Sequence, residues 1–218
     1  MSAEIKIKNG LDLPMLGAPS MEIRQLHSSG TRSVFPGEFA REKFKCLVEE
    51  GDTVVRGGVL ARGKRIDGFK VRSPISGTVK EVRLGARRSL AEIVIEPNGS
   101  EDVEKFTSFT VDGLLKTSKD EILSVLADTG FLGFIRQRPF SRIADPEATP
   151  KSIFVNGMAS APFRPDAHVL IQGKADDLQV GLNALTRLTD GPVHLNLAAD
   201  AKEKNDALTQ AANVQVNY

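Results

Sequence analysis

A chain of 218 residues, 26% charged and 40% hydrophobic, has room for one large or two small domains and enough apolar content to fill their cores. Its net charge of +1 gives no global field that would draw it to nucleic acid. No run approaches the ~18 apolar residues of a membrane span, and "MSAEIKIKNG" lacks the apolar stretch of a secretory signal. The chain is therefore expected in the cytosol or peripherally on the cytosolic face of a membrane.

One cysteine, Cys46, excludes an intrachain disulfide and any cysteine-rich zinc or iron–sulfur site within the chain. Its flank "FKCLV" reads as a buried structural thiol. Any electron-transfer role must then use an organic cofactor, or partners that carry the metals.

Up to about Glu96 the segments are short and β-branched: "EIKIK", "FKCLV", "TVVRGG", "FKVRS", "GTVKEVRL" and "LAEIVIE". Gly, Pro and Asp clusters separate them, as in a small barrel or sandwich. "EPNGSEDVEKF" supplies a turn and a charged connection, and places a domain division between residues 105 and 106. A helix follows, announced by Ser118 with Glu121 as a capping box and by Gly130 after the last turn. Ile122, Leu123, Val125 and Leu126 form its apolar face. After the loop "QRPFSRIADPEATP", "SIFVNG" and "HVLIQG" read as strands, "DDLQVGLNALTRLTDG" as a helix and "PVHLNLA" as a third strand. Leu178, Leu182 and Leu185 make one helical stripe. Strand, helix and strand within about 30 residues form a βαβ unit of a parallel sheet. The closing "NVQVNY" alternates like a strand, which suggests a piece of a longer α/β domain.

The order "GDTVVRGGVL" then "SPISGTV" resembles the biotinyl/lipoyl family, whose fold is a barrel-sandwich hybrid. That resemblance implies a modified lysine at a hairpin tip about seven residues before Ser73-Pro74. Ile66 occupies that place, and Lys64 lies two residues away without the family's flanking residues. Asp67-Gly68 reads as a plain hairpin turn. The scaffold is expected without its arm.

A dinucleotide site needs glycines after a strand, so that backbone amides at a helix N-terminus approach phosphate. The nearest candidate, "DTGFLGFIRQRPFSR" at residues 128 to 142, fills the spacing with Phe131, Leu132, Phe134 and Ile135. Arg83, Arg87 and Arg88 in "VRLGARRSL" form a possible anion or partner patch, against the plainer reading of a solvated hairpin tip. His27, His168 and His194 are scattered without metal or catalytic spacing and read as structural.

Together, "IKIKNGLDLPMLGAPS", "GDTV", "SPISGTVKEVRLGARRSLAEIVIE", "GFIRQRPFSRI", "SIFVNGMASAPF" and "VGLNALTRLT" resemble the NqrA family, which belongs to the Na⁺-translocating NADH:quinone reductase, over almost the whole chain. The resemblance implies an α+β multi-domain protein, with a barrel-sandwich hybrid over residues 1–105. A truncated Rossmann-like α/β domain, incomplete at its C-terminus, would cover residues 106–218. It implies a peripheral subunit on the cytoplasmic side of the bacterial inner membrane, in a six-subunit complex that oxidises NADH, reduces ubiquinone or menaquinone and pumps Na⁺. FAD, FMN and iron–sulfur centres would belong to partner subunits, with no redox cofactor and no metal in this one. The family is also similar to the C component of the Rnf complex, and to the NADH- and FMN-binding component of complex I.

Under that resemblance the segment "FIRQRPFSR" becomes the candidate for quinone binding or partner docking. Phe134 and Phe140 offer apolar faces to a quinone ring or isoprenoid tail. Arg136, Arg138 and Arg142 can donate hydrogen bonds to a quinone carbonyl or a partner carboxylate, and Pro139 fixes the loop. Two other readings compete: an NADH/FMN-binding electron-transfer subunit of the Rnf C or complex I type, and a carrier domain bearing a modified lysine.

Overall fold

A computed structural model describes residues 15–25, 30–39, 42–158, 161–204 and 206–218. The expected strand "EIKIK", His27 and most of "IKIKNGLDLPMLGAPS" lie outside the described residues. The first strands are β1 (Arg32–Val34), β2 (Phe44–Cys46), β3 (Thr53–Val54) and β4 (Val59–Gly63). They continue with β5 (Lys70–Arg72), β6 (Gly77–Leu84) and β7 (Leu90–Pro97). Next come α1 (Val111–Leu114), α2 (Lys119–Thr129), β8 (Arg136–Gln137), β9 (Arg142–Ile143) and β10 (Ile153–Asn156). The chain ends with α3 (Ala167–Leu170), α4 (Ala175–Thr186), β11 (Val193–Asn196) and β12 (Gln215–Asn217). Two compact units result, one around His27–Ser108 with Asp120–Ala148, the other around Phe109–Lys119 with Thr149–Tyr218.

The first unit holds two antiparallel sheets, ordered β1-β7-β6-β3 and β2-β4-β5. Packed together they share one core. Phe44, Leu60, Phe69, Val71, Val79, Ile93 and Ile95 fill it. Cys46 packs partly buried against that core, and its thiol donates to the Val48 carbonyl at 3.2 Å. The cysteine is engaged in the barrel-sandwich scaffold as expected, but it is partly rather than fully buried.

Helix α2 belongs spatially to this β unit. Leu123, Leu126 and Ala127 turn the i, i+3, i+4 face onto the same core as Phe69. The stretch after α2, expected as an irregular loop, instead contains the β8–β9 hairpin, with Arg136 paired to Ile143 and Gln137 to Arg142.

The second unit is α/β. β10, β11 and β12 form a parallel sheet in that order, and α4 lies on the crossover between β10 and β11. Leu182, Leu195, Leu197, Ala201 and Leu208 make its core, with Val155 and Val216 packed against it. One expectation is corrected: "HVLIQG" is helix α3 and a following turn, not a strand. Asp166 is the reason, because its side chain accepts from the His168 N–H at 2.8 Å and so caps a helical turn. The crossover unit is accordingly longer than the sequence pattern suggests, running from β10 through α3 and α4 to β11.

Asn183 is fully buried on α4, with every polar group satisfied. Its Nδ2 donates to the Val111 carbonyl at 3.1 Å, and its Oδ1 accepts from Gln179 at 2.8 Å and from Asn213 at 3.1 Å. One amide thus joins α1, α4 and the approach to β12, a placement a hydrophobic residue could not specify.

Candidate functional site

The candidate segment is set in place by the C-terminus of α2. The last carbonyls of a helix lack partners within it, and here Arg72 of β5 supplies one. Its Nε donates to the Asp128 backbone carbonyl at 2.5 Å, and its Nη2 lies 2.6 Å from Asp128 Oδ2. Lys70, also on β5, pairs with the other oxygen of the same carboxylate. Two cations at a helix C-terminus also complement the macrodipole. Burial opposes ionisation of Asp128, but the Lys70 hydrogen bond and the Arg72 charge outweigh it and hold its pKa below the usual carboxylate value.

The chain then turns at Gly130, whose φ is +82°. A Cβ there would lie 2.8 Å from the Lys70 carbonyl oxygen, so both the left-handed conformation and the space demand glycine. Residues Phe131–Phe134 form a single 3₁₀ turn. Leu132 is buried, whereas Phe131 and Phe134 are 61% and 72% exposed. Their rings sit 6.1 Å apart, and Phe134 meets Phe39 edge to face at 6.3 Å. Phe39 in turn packs on Phe69 and Phe44, so an aromatic column runs from the core to the surface. Gly133 is consumed by this packing, since a Cβ would overlap the Phe39 ring. A glycine used to admit a phenylalanine does not leave backbone open to phosphate, which bears against a nucleotide loop at residues 128 to 142.

The hairpin follows directly. Ile143 is buried and anchors it, while Arg136, Arg138, Pro139, Phe140 and Arg142 are all exposed, Phe140 by 67%. The Arg138–Pro139 peptide is cis. Gln137 Oε1 accepts from Arg142 Nε at 3.2 Å and ties the two strands together. The structure therefore brings together Phe134, Arg136, Arg138, Pro139, Phe140 and Arg142 on one short surface segment. It adds Phe131, which the sequence motif did not single out as a binding residue.

A groove of about 490 Å³ adjoins Arg142. Ile66, Ile143 and Pro146 contribute its apolar lining, and Glu42, Arg65 and Asp145 its charges. Sequence alone could not join Glu42, Arg65 and Arg142, which come from three separate stretches. Ile66, at the position of a carrier lysine, packs against the β core. The turn around it is fixed by Glu42 Oε1, which accepts from the Lys64 and Arg65 N–H groups at 2.8 and 2.9 Å.

The second arginine patch lies at the β6–β7 tip. Arg83 is engaged there by Glu81 and Glu92, each at 2.6 Å. The hydrogen bond to Glu81, then that to Glu92, raises the Arg83 pKa further. Arg87 and Arg88 stand exposed beside it with φ of 55° and 57°. Among the described residues no group of His, Cys, Asp or Glu is arranged to hold a metal ion. His168 pairs with Asp206, and His194 accepts from Asn217 Nδ2 at 3.2 Å while stacking on Phe154. Both histidines have structural partners. No helix of the described residues is long and apolar enough to cross a membrane.

Two family models match, together covering most of the chain. Residues 5–98 match the NqrA N-terminal barrel-sandwich hybrid domain, and residues 117–217 the NqrA second alpha/beta domain. A Na(+)-translocating NADH-quinone reductase subunit from Alcanivorax borkumensis is 36% identical over 87% of this chain and 42% of its own length. The protein of the same name from Yersinia pseudotuberculosis is 35% identical over 98% of this chain and 46% of its own. That of Marinomonas sp. is 36% identical over 90% and 44%. The chain thus spans less than half the length of these relatives. With a barrel-sandwich hybrid followed by an α/β domain, and with both domains matched, the chain belongs to the NqrA family of Na⁺-translocating NADH-quinone reductase subunits.

Proposed function

We propose that this protein serves as a peripheral subunit of a Na⁺-pumping NADH:quinone oxidoreductase, taking part in quinone interaction and complex assembly without a redox cofactor of its own. It sits on the cytoplasmic side of a bacterial inner membrane within a six-subunit complex. Partner subunits carry FAD, FMN and iron–sulfur centres, and ubiquinone or menaquinone is the substrate. We place its two family domains over residues 1–105 and 106–218.

The observation that carries this reading is the surface segment Phe131–Arg142, where exposed phenylalanines and exposed arginines share one short stretch. Phe134 and Phe140 supply apolar area for a quinone ring or tail, and Arg136, Arg138 and Arg142 supply donors for a carbonyl oxygen. The arginine patch Arg83, Arg87 and Arg88 serves as a second partner contact, weakened at Arg83 by its two glutamates. An NADH- or FMN-binding role is disfavoured by the packing of Gly133 against Phe39. Co-purification tests the reading: the full-length protein should bring down a membrane complex with Na⁺-stimulated NADH:quinone activity. Isolation of a yellow, flavin-containing protein that oxidises NADH by itself would overturn it.

A further inference from the structure

We infer that the segment Phe131–Ala144 is a membrane-contacting loop, which enters the interfacial layer of a bilayer containing anionic lipid. The inference goes beyond the proposed quinone role but shares its surface.

Three properties of the segment point to a lipid surface. The first is exposure: Phe131, Phe134 and Phe140 are each more than 60% exposed, whereas Phe44 and Phe69 of the same unit are buried. Large aromatic rings left in water on one short stretch of chain cost free energy that burial elsewhere would recover. The second is charge. From Phe131 to Ala144 the sequence contains Arg136, Arg138 and Arg142 and no acidic residue, so the segment itself is cationic, and the nearby acids Glu42, Asp67, Asp145 and Glu147 gather only in the groove at its Arg142 end. Neither Arg136 nor Arg138 has an ion-pair partner among the described residues. Phenylalanine interleaved with arginine suits the headgroup boundary, where rings reach the acyl region and guanidinium groups stay with phosphate. The third is support: the rings are carried on the Phe39–Phe69 column and the Arg72–Asp128 clamp, so insertion would not require the loop to reorganise. A protein partner would favour acidic complements to the arginines and a flatter apolar patch; a bilayer needs only exposed rings and arginines together, as present here.

The chain contains no tryptophan, so Phe134→Trp provides a single fluorescent reporter at the proposed point of entry. The purified chain is mixed with vesicles of phosphatidylcholine alone or with about 30% phosphatidylglycerol, all free of quinone. The expected results are a blue-shifted emission quenched by brominated acyl chains, seen with the anionic vesicles. Sedimentation with these vesicles should fall roughly tenfold or more in Phe131→Ser/Phe134→Ser, given two lost aromatic anchors. It should also fall several-fold for Arg136→Gln/Arg138→Gln and on raising salt from about 20 to about 300 mM. Circular dichroism and the melting temperature identify any variant that has failed to fold, and the Arg136→Gln/Arg138→Gln pair, wholly at the surface, keeps the test decisive in that event. Absence of vesicle binding, or binding unchanged in both double variants, overturns the inference. Binding to solubilised protein partners but never to vesicles also overturns it. Quinone photolabelling in detergent is scored separately, so loss of lipid binding leaves the quinone reading standing, and the converse holds.

Discussion

Arg72 and Asp128 meet twice: the guanidinium bonds both the backbone carbonyl and the carboxylate of the same residue, at 2.5 and 2.6 Å. Arg72 also donates to the Gly57 carbonyl at 2.7 Å and lies 4.7 Å from the centre of the Phe106 ring. Its side chain is 10% exposed. One residue of β5 therefore closes the C-terminus of α2 and fixes where the Phe131–Arg142 segment begins. Replacing Asp128 by Ala leaves a mostly buried guanidinium without its charge partner. The expected loss is about 1–2 kcal/mol, read as a lower melting temperature, with Lys70→Ala, at a more exposed position, costing less.

Gly130 makes a second, independent prediction for the same corner. Gly130→Ala forces a side chain into the left-handed region and against the Lys70 carbonyl. It should destabilise by about 1–3 kcal/mol by chemical denaturation and should raise hydrogen exchange over residues 131–143 more than elsewhere. Unchanged exchange there would show that the turn does not position the segment.

Acid should weaken the protein through three carboxylates. Burial opposes ionisation of Asp128, Asp166 and Asp206 alike. The Lys70 and Arg72 contacts, the His168 N–H with Lys204, and the His168 side chain with the Thr209 N–H respectively outweigh it, and each pKa lies below 3.8. A carboxylate whose folded pKa is depressed contributes stability that is complete above its unfolded value and is lost as pH falls through the folded one. Denaturant midpoints should thus stay level with respect to these groups from pH 7 to about 5 and fall below about 4. Asp128→Asn and Asp206→Asn should flatten that fall while lowering the plateau.

Asn183 predicts that a polar core residue cannot be replaced by an apolar one at no cost. Asn183→Leu removes the partner of the Val111 carbonyl and of the Asn213 amide, and one of the bonds of the Gln179 amide. A loss of about 2–3 kcal/mol is expected, measured as the thermal stability of the whole chain. A neutral result would mean that water replaces the lost partners.

Helices α2 and α4 were legible in the sequence because each carries a helical apolar stripe and acidic residues in its first turn. "HVLIQG" misled because a short apolar run fits strand or buried helix equally, and the deciding cap, Asp166, lies just before it. The β8–β9 hairpin was hidden because two-residue strands have no period to detect. At the candidate site, residue types were readable but exposure was not. Phe69 and Phe134 look alike in sequence, yet Phe69 is fully buried in the β core while Phe134 stands 72% exposed. Arg83 shows the same limit: Glu92 is its cross-strand partner in β7, a relation that appears only once the register is known.

Whether the Phe131–Arg142 segment takes part in quinone interaction is decided by photoaffinity labelling of the full-length protein with a quinone probe. Labelling is expected within residues 131–142, and excess quinone should suppress it. In Arg138→Ala and Phe140→Ala it should fall several-fold, as expected for one lost charge-assisted hydrogen bond or one lost aromatic face. Labelling that is absent, or that persists unchanged in both variants, would rule out a quinone role for this segment.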